Sequence, residues 1–135
     1  MTFQTTLRGR EVATGLQFPE GPIAMADGSV VLVEIARGTL TRVLPDGRTE
    51  VIAELGGGPN GAAVGPDGCF YVCNNGGFNF DREPDGLLRP VGRADNYSGG
   101  RIERVDPKTG GVTTLYTECN GVTLKGPNDI VLDGR

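Results

Sequence analysis

The sequence predicts an all-β protein of the β-propeller type. Its apolar, β-branched runs are short and are separated by Asp-Gly or Pro-Asp-Gly turns, which is typical of antiparallel strands joined by hairpins. A motif that begins with proline occurs three times, at residues 19–25, 59–65 and 127–133. The first two copies start at positions 19 and 59, 40 residues apart. This spacing is close to the roughly 40–50-residue period of four-stranded propeller blades.

The first predicted blade covers about residues 19–55. Its first strand follows the proline motif, and further strands are predicted at residues 30–33, 40–44 and 49–55. The turns between them contain glycine, which suits the tight connections of an up-and-down sheet.

The second predicted blade covers about residues 59–118 and contains an insertion at 77–99. Strands are predicted at residues 69–73, 101–105 and 112–117. The insertion is rich in glycine and proline, which predicts a long loop between two blade strands. We interpret it as a lid over a channel mouth, and the alternative is a surface insertion without a role. A third blade is predicted to begin at residues 126–135.

The composition and charge of the chain argue against binding to membranes or nucleic acids. The longest apolar runs fall far short of the ~20 residues of a membrane span, and the N-terminus lacks the apolar region of a signal peptide, so we expect a cytoplasmic protein that does not bind membranes. The net charge is −4 and basic residues do not cluster, which argues against a nucleic-acid partner.

Cysteine and histidine usage limits the chemistry further. Cys69 and Cys73 would lie roughly 13 Å apart on one strand, too far for a disulfide, and together with Cys119 they are predicted to be buried structural thiols. The chain has no histidine, which excludes a Ser-His-Asp or Cys-His nucleophile and imidazole ligands for a metal. The glycines at 56–58 are not followed by Gly-Lys-Ser/Thr, so they do not form a phosphate loop.

The residue after each repeated proline is the main candidate for a site. These residues are Glu20, Asn60 and Asn128, and repeated segments occupy equivalent places, so their side chains can converge. Carboxylate and amide oxygens are the ligands that a hard cation such as Ca²⁺ prefers. Alternatively, Glu20 is a solvated turn residue and Asn128 caps a turn.

Several segments resemble one family. Residues 18–22, 59–61, 99–102, 105–107 and 126–131 are similar to the senescence marker protein/gluconolactonase (regucalcin-like) family. The resemblance implies a six-bladed propeller with a divalent cation in its central channel, usually Ca²⁺ and otherwise Zn²⁺, Mg²⁺ or Mn²⁺. It also implies a small-molecule partner, a sugar lactone or similar small ester, since many members hydrolyse sugar lactones.

The resemblance assigns roles to individual residues. Glu20 and Asn128 match metal-binding positions, although the asparagine of this motif contacts the substrate in some related propellers. Asn60, in a segment similar to the family's, is predicted to bind substrate. Apart from the resemblance, Asn74 and Asn75 end a predicted strand at the channel mouth; Asn75 is predicted to bind substrate there, with turn formation as the alternative role. The general base remains unnamed, because the family's later asparagine and aspartate ligands have no counterpart in these 135 residues.

We therefore expect this chain to be the N-terminal part of a single, longer propeller. Two blades and one strand would leave open sheet edges that are available for self-association. The predicted function is a hydrolase of sugar lactones that depends on calcium or another divalent metal, and the isolated chain is expected to be inactive. The alternative is a non-catalytic propeller that serves in binding or as a scaffold.

Overall fold

The computed structural model describes residues 9–133 and has twelve strands in four antiparallel sheets, with no helix in that range. The all-β prediction is confirmed. The described part of the chain accordingly has no helix of the length and apolar character that a membrane crossing requires.

The first sheet is an up-and-down meander in the order β1-β2-β3-β4. Its turns fall at the predicted glycines, and Gly28 and Gly47 adopt φ angles of 81° and 86° that favour glycine. The strands are β1 (Pro19–Ala24), β2 (Val30–Glu34), β3 (Thr39–Val43) and β4 (Thr49–Glu54).

The second sheet has the order β10-β9-β6-β5 and brings together strands that are distant in sequence. Asn74 pairs with Arg101 across the insertion, so the sheet continues as if the insertion were absent. The remaining longer strands are β5 (Pro59–Val64), β6 (Phe70–Asn74), β7 (Phe78–Arg82), β8 (Leu88–Arg93), β9 (Arg101–Val105) and β10 (Val112–Tyr116).

The insertion is more ordered than its composition suggests. The predicted long loop is wrong, because β7 and β8 pair as an antiparallel hairpin. The ring of Phe80 lies 5.3 Å from the ring of Phe18, at an interplanar angle of 51°. Phe18 itself has a positive φ of 57°, which is unusual for a bulky side chain. This aromatic pair connects the hairpin to the segment that leads into β1.

A small hairpin follows the second sheet. It is formed by β11 (Glu118–Cys119) and β12 (Val122–Thr123). The two connecting residues, Asn120 and Gly121, both have positive φ, at 50° and 76°. An Asn-Gly pair of this kind is the usual signal for a tight hairpin, and the strand predictions did not use it. A third blade was predicted to begin at residues 126–135, of which 134 and 135 lie outside the described residues. Residues 126–133 contain no strand and pair with no described strand.

The core lies where the two four-stranded sheets pack together, with β5 against β1 and β2. Alternate residues of β2, such as Val31 and Val33, are fully buried there, as the two-residue period of a strand requires. The buried cluster consists of Val31, Val33, Leu40, Ala53, Leu55, Ala62, Phe70, Val72 and Val105.

The cysteine prediction is right for two positions and wrong for one. Cys69 and Cys73 are buried free thiols. Cys69 directly precedes β6, and Cys73 lies within it. Cys119 is exposed, because the short hairpin that carries it lies outside the core between the sheets.

Candidate functional site

The three proline motifs lie side by side. A methyl group added to Gly21 would come 3.1 Å from the Cα of Gly61, and one added to Gly61 would come 2.7 Å from the carbonyl oxygen of Asn128. Only glycine permits such close backbone contact. Since Glu20 and Asn60 directly precede these glycines, the residues after the repeated prolines belong to neighbouring segments.

A cavity of about 230 Å³ opens beside these segments. Three of the four predicted site residues line it, and Glu20 does not. Asn60 comes from β5, Asn75 follows β6, and Asn128 belongs to the third motif. The lining consists of Asn60, Asn75, Gly77, Phe78, Arg93, Tyr97, Lys125, Gly126 and Asn128.

Asn75 is held rigidly and still has an unused donor. Its backbone N–H donates to the carbonyl of Gly58 at 2.8 Å, and its Oδ1 accepts from the N–H of Gly77 at 2.8 Å. The second contact is the turn predicted as the alternative role. Asn75 is only 6% exposed, and its Nδ2 is buried without a hydrogen-bond partner among the described residues. Such a group is costly in a folded protein, and a ligand oxygen would satisfy it.

The neighbouring Asn74 was not among the predicted substrate-binding residues, and it organises the backbone around the cavity. Its Oδ1 accepts from the N–H groups of Gly58 (2.9 Å) and Gly76 (3.1 Å). Its Nδ2 donates to the carbonyl of Gly56 at 2.9 Å and to Glu103 Oε2 at 3.0 Å. The side chain is fully buried and uses its full hydrogen-bonding capacity, so it supports the backbone around the cavity.

The glycines at 56–58 provide room for these two asparagines. A methyl group on Gly57 would come 2.5 Å from Asn74 Oδ1, and one on Gly58 would overlap Asn75 Oδ1. No real Cβ tolerates such contacts without displacement of its neighbour. The glycine run is therefore a packing surface for side-chain amides, in agreement with the prediction that it is not a phosphate loop.

A buried carboxylate supports each sheet, counted along the chain on the second strand of the first sheet and on the third strand of the second. In the first sheet Glu34, at the end of β2, accepts from the Thr41 hydroxyl at 2.7 Å and from the Gln17 N–H at 2.6 Å. In the second sheet Glu103, on β9, accepts from Asn74 and pairs with Arg101 at 2.6 Å. Both carboxylates are almost completely buried and are surrounded by donors, as buried charges require.

Two cations beside the cavity were not predicted as site residues. Arg93 ends β8, and its guanidinium carbon lies 4.8 Å from the centre of the Tyr97 ring. The Tyr97 hydroxyl donates to the carbonyl of Lys125. Both cations belong to irregular or hairpin segments, so no sequence period marks them as facing the same cavity.

The predicted metal ligands are only partly brought together. Glu20 is exposed, and its Oε2 has one weak contact, with the N–H of Gly21 at 3.4 Å. Asp129 is a second carboxylate along the same edge, since its Oδ1 would lie 2.7 Å from a methyl group on Gly61. Within residues 9–133 no group of three or more histidine, cysteine, aspartate or glutamate side chains could hold a metal ion. These residues alone therefore do not complete a cation site with the 6–8 oxygens that Ca²⁺ prefers.

Charge and burial also act on Cys73, which pairs with Gly61 between β5 and β6. Burial, followed by the nearby charge of Asp129, raises the pKa of the Cys73 thiol to about 11. The thiol is therefore a packing group and not a nucleophile at neutral pH.

Comparisons with known proteins identify the family. A search of curated proteins finds no match. The family model for the SMP-30/Gluconolactonase/LRE-like region matches residues 18–135, which includes all three proline motifs and both four-stranded sheets. The resemblance noted in the sequence is thereby confirmed, and the chain belongs to the SMP-30/gluconolactonase/LRE-like family.

Proposed function

We propose that the natural protein carrying these residues hydrolyses a sugar lactone or a related small ester. Family membership supports a lactonase-type activity. The observation that carries the proposal is the meeting of Asn60, Asn75 and Asn128 at one cavity, from three segments far apart in sequence. Side-chain amides donate and accept hydrogen bonds, which suits the hydroxyl groups and ring oxygen of a sugar lactone.

The three asparagines are proposed to position the substrate. Asn75 has a buried Nδ2 in need of an acceptor, and Asn128 makes no side-chain hydrogen bond among the contacts of the described residues. Asn128 fits the substrate-contact role better than the metal-ligand role, because Arg93 and Lys125 line the same cavity and would repel a second cation.

Glu20 is proposed to contribute one ligand to a divalent cation, Ca²⁺ or one of the alternatives named above. Its exposed carboxylate makes only one weak hydrogen bond, so its oxygens are available to coordinate a cation. The other ligands would come from outside residues 9–133. A bound cation of this kind supplies Lewis-acid polarisation of a carbonyl oxygen. The side-chain amides of Asn60, Asn75 and Asn128 would orient the sugar.

The test is a comparison of Glu20→Gln with Glu54→Gln in the natural protein. Glu54 is an exposed glutamate on β4 and provides a control with the same change of charge. Calcium affinity is measured by titration calorimetry and gluconolactone hydrolysis by acid release, with circular dichroism to check folding. We expect Glu20→Gln to weaken both metal binding and turnover, and Glu54→Gln to change neither. If the wild-type protein does not hydrolyse the lactone, the proposal is wrong.

The second candidate is a non-catalytic sugar-binding module. It is favoured by the fact that the cavity is lined by amides and cations but by no carboxylate that could activate water. Binding of a sugar or lactone without turnover at any metal concentration would support this candidate over the hydrolase.

A further inference from the structure

Two cationic side chains line the cavity that contains the three asparagines. Arg93 and Lys125 contribute two formal positive charges to its lining, and none of its nine lining residues is an aspartate or glutamate. Its volume of about 230 Å³ is below the ~300–1,000 Å³ of drug-sized pockets, which suits one small ligand. A neutral lactone would not need this charge.

Arg93 differs from the other arginine on its strand. Arg89 pairs with Glu83 at 2.6 Å, whereas Arg93 has no carboxylate within ion-pair distance in the described part of the chain. Its guanidinium instead lies over the ring of Tyr97, a contact that orients the group and leaves its charge uncompensated. A planar guanidinium with free N–H groups is well suited to bind a carboxylate or phosphate.

Tyr97 connects the two cations to the asparagine corner. Its hydroxyl donates to the carbonyl of Lys125, and its ring covers Gly76 so closely that a methyl group there would come 2.5 Å from the ring. Gly76 in turn follows Asn75. The aromatic ring therefore keeps Arg93, Lys125 and Asn75 around one space.

The side-chain Nδ2 of Asn75 is an independent indication of a ligand, because this donor has no hydrogen-bond acceptor among the described residues. Its Oδ1 is engaged by the N–H of Gly77, so the amide cannot be turned over without loss of that bond, and Nδ2 remains the unpaired end. With the residue 6% exposed, no nearby protein atom or bulk solvent satisfies this donor. Asn75 lines the cavity, so a small displacement of its amide would let an anionic oxygen accept from Nδ2 beside the two cations.

We propose that this cavity recognises an oxyanion, either a carboxylate or a phosphate, carried by the sugar substrate. Arg93 and Lys125 provide the charge, and Asn75 Nδ2 provides a directed hydrogen bond. The inference rests on the proposed function and narrows it, since the substrate becomes an acidic sugar derivative. The β7–β8 hairpin, which ends in Arg93, then acts as a specificity element.

The experiment compares each acidic ligand with a neutral sugar or sugar alcohol that lacks the acidic group. Gluconate is matched with neutral glucitol for the carboxylate, and glucose 6-phosphate with glucose for the phosphate. Binding to the natural protein is measured by titration calorimetry at low and high salt. We expect the preferred anion to bind at least about tenfold more tightly than its neutral partner, with a preference that weakens as salt rises. Which anion is preferred distinguishes the carboxylate from the phosphate.

The variants are Arg93→Gln, Lys125→Gln and the control Arg89→Gln. Each removes one exposed positive charge, and the control lies on the same strand as Arg93. We expect Arg93→Gln and Lys125→Gln each to reduce the affinity for the anion about tenfold more than the affinity for the neutral sugar, while Arg89→Gln changes neither. Equal binding of charged and neutral partners, or the same loss in Arg89→Gln, would overturn the inference.

The result also separates this inference from the proposed function. Hydrolysis of neutral gluconolactone without any anion preference would retain the lactonase and overturn the oxyanion site. Anion binding that depends on Arg93, without hydrolysis of any lactone, would retain the oxyanion site and contradict the lactonase.

Discussion

The carbonyl oxygen of Gly58 accepts a 2.8 Å hydrogen bond from the backbone N–H of Asn75, and the absence of a side chain at Gly58 leaves room for the Asn75 amide. This contact joins the segment before β5 to the segment after β6. The orientation of a candidate ligand-binding amide therefore depends on a glycine that is 17 positions earlier in the chain.

Gly58→Ala should displace Asn75. The added methyl group would overlap Asn75 Oδ1 and lie 2.9 Å from the Cα of Gly77, so the Asn75 turn must shift. We expect a destabilisation of about 1–3 kcal/mol, as for other overpacked sites, together with weaker ligand binding. Urea denaturation and titration calorimetry measure the two effects. Gly9→Ala is the control, because nothing lies within 4 Å of a methyl group there; equal effects in both variants would argue against the packing explanation.

Asn74→Ala and Asn75→Ala should separate support from binding. Loss of the Asn74 side chain removes the hydrogen bonds of two backbone N–H groups, one backbone carbonyl and the buried carboxylate of Glu103. We therefore expect the free energy of unfolding to fall by about 3 kcal/mol. Loss of the Asn75 side chain removes only the contact with Gly77, for which about 1 kcal/mol is expected, but it should weaken ligand binding. Denaturation and calorimetry on both variants provide the comparison, and the reverse order of stabilities would refute these roles.

Asp67 should make stability depend on pH in the acid range. The N–H of Cys69, followed by the side chains of Arg104 and Tyr71, holds the pKa of the Asp67 carboxyl below its usual 3.8. A carboxyl with a lowered pKa in the folded state stabilises the protein fully above its unfolded-state pKa and loses this effect as pH falls through the folded value. The difference in unfolding free energy between wild type and Asp67→Asn should thus be present near pH 6 and shrink below about pH 4.

The control for Asp67 is Asp81→Asn, which neutralises an exposed carboxylate on β7. Thermal unfolding measured from pH 6 to pH 2.5 gives the pH profile of each variant. A difference for Asp67→Asn that stays constant over this range would show that the carboxyl has the same pKa in the folded and unfolded states.

Thiol reactivity should distinguish Cys119 from Cys73. Burial and the charge of Asp129 raise the pKa of Cys73 to about 11, and burial also raises the pKa of Cys69. Because the thiolate is the reactive form, both should resist iodoacetamide at pH 8, while the exposed Cys119 is alkylated. Mass spectrometry of the native protein reads out the modified sites, with a urea-denatured sample as the control in which all three react. Rapid native labelling of Cys73 would contradict its buried position.

Part of the site could be predicted from sequence because it repeats. The proline motifs indicated Glu20, Asn60 and Asn128, and the end of a predicted strand indicated Asn75. Of these four predicted residues, all except Glu20 line the cavity. Arg93, Lys125 and Tyr97 carry no repeat or period, so nothing local connected them with the same space. Asn74 stands beside a predicted residue, but its role depends on Glu103, 29 positions away.

The strands of the two four-stranded sheets could be predicted from the sequence alone, because alternating apolar residues and glycine turns act over a few neighbouring residues. The hairpins β7–β8 and β11–β12 were not predicted. Tertiary structure decided which residues the strands bring together. β6 pairs with β9 across an insertion that was predicted as a loop and forms a hairpin. The supporting carboxylate lies on β2 in one sheet and on β9 in the other. These choices depend on which segments pack against each other. A buried charge is stable only where donors from distant segments surround it, and a local pattern does not contain that information.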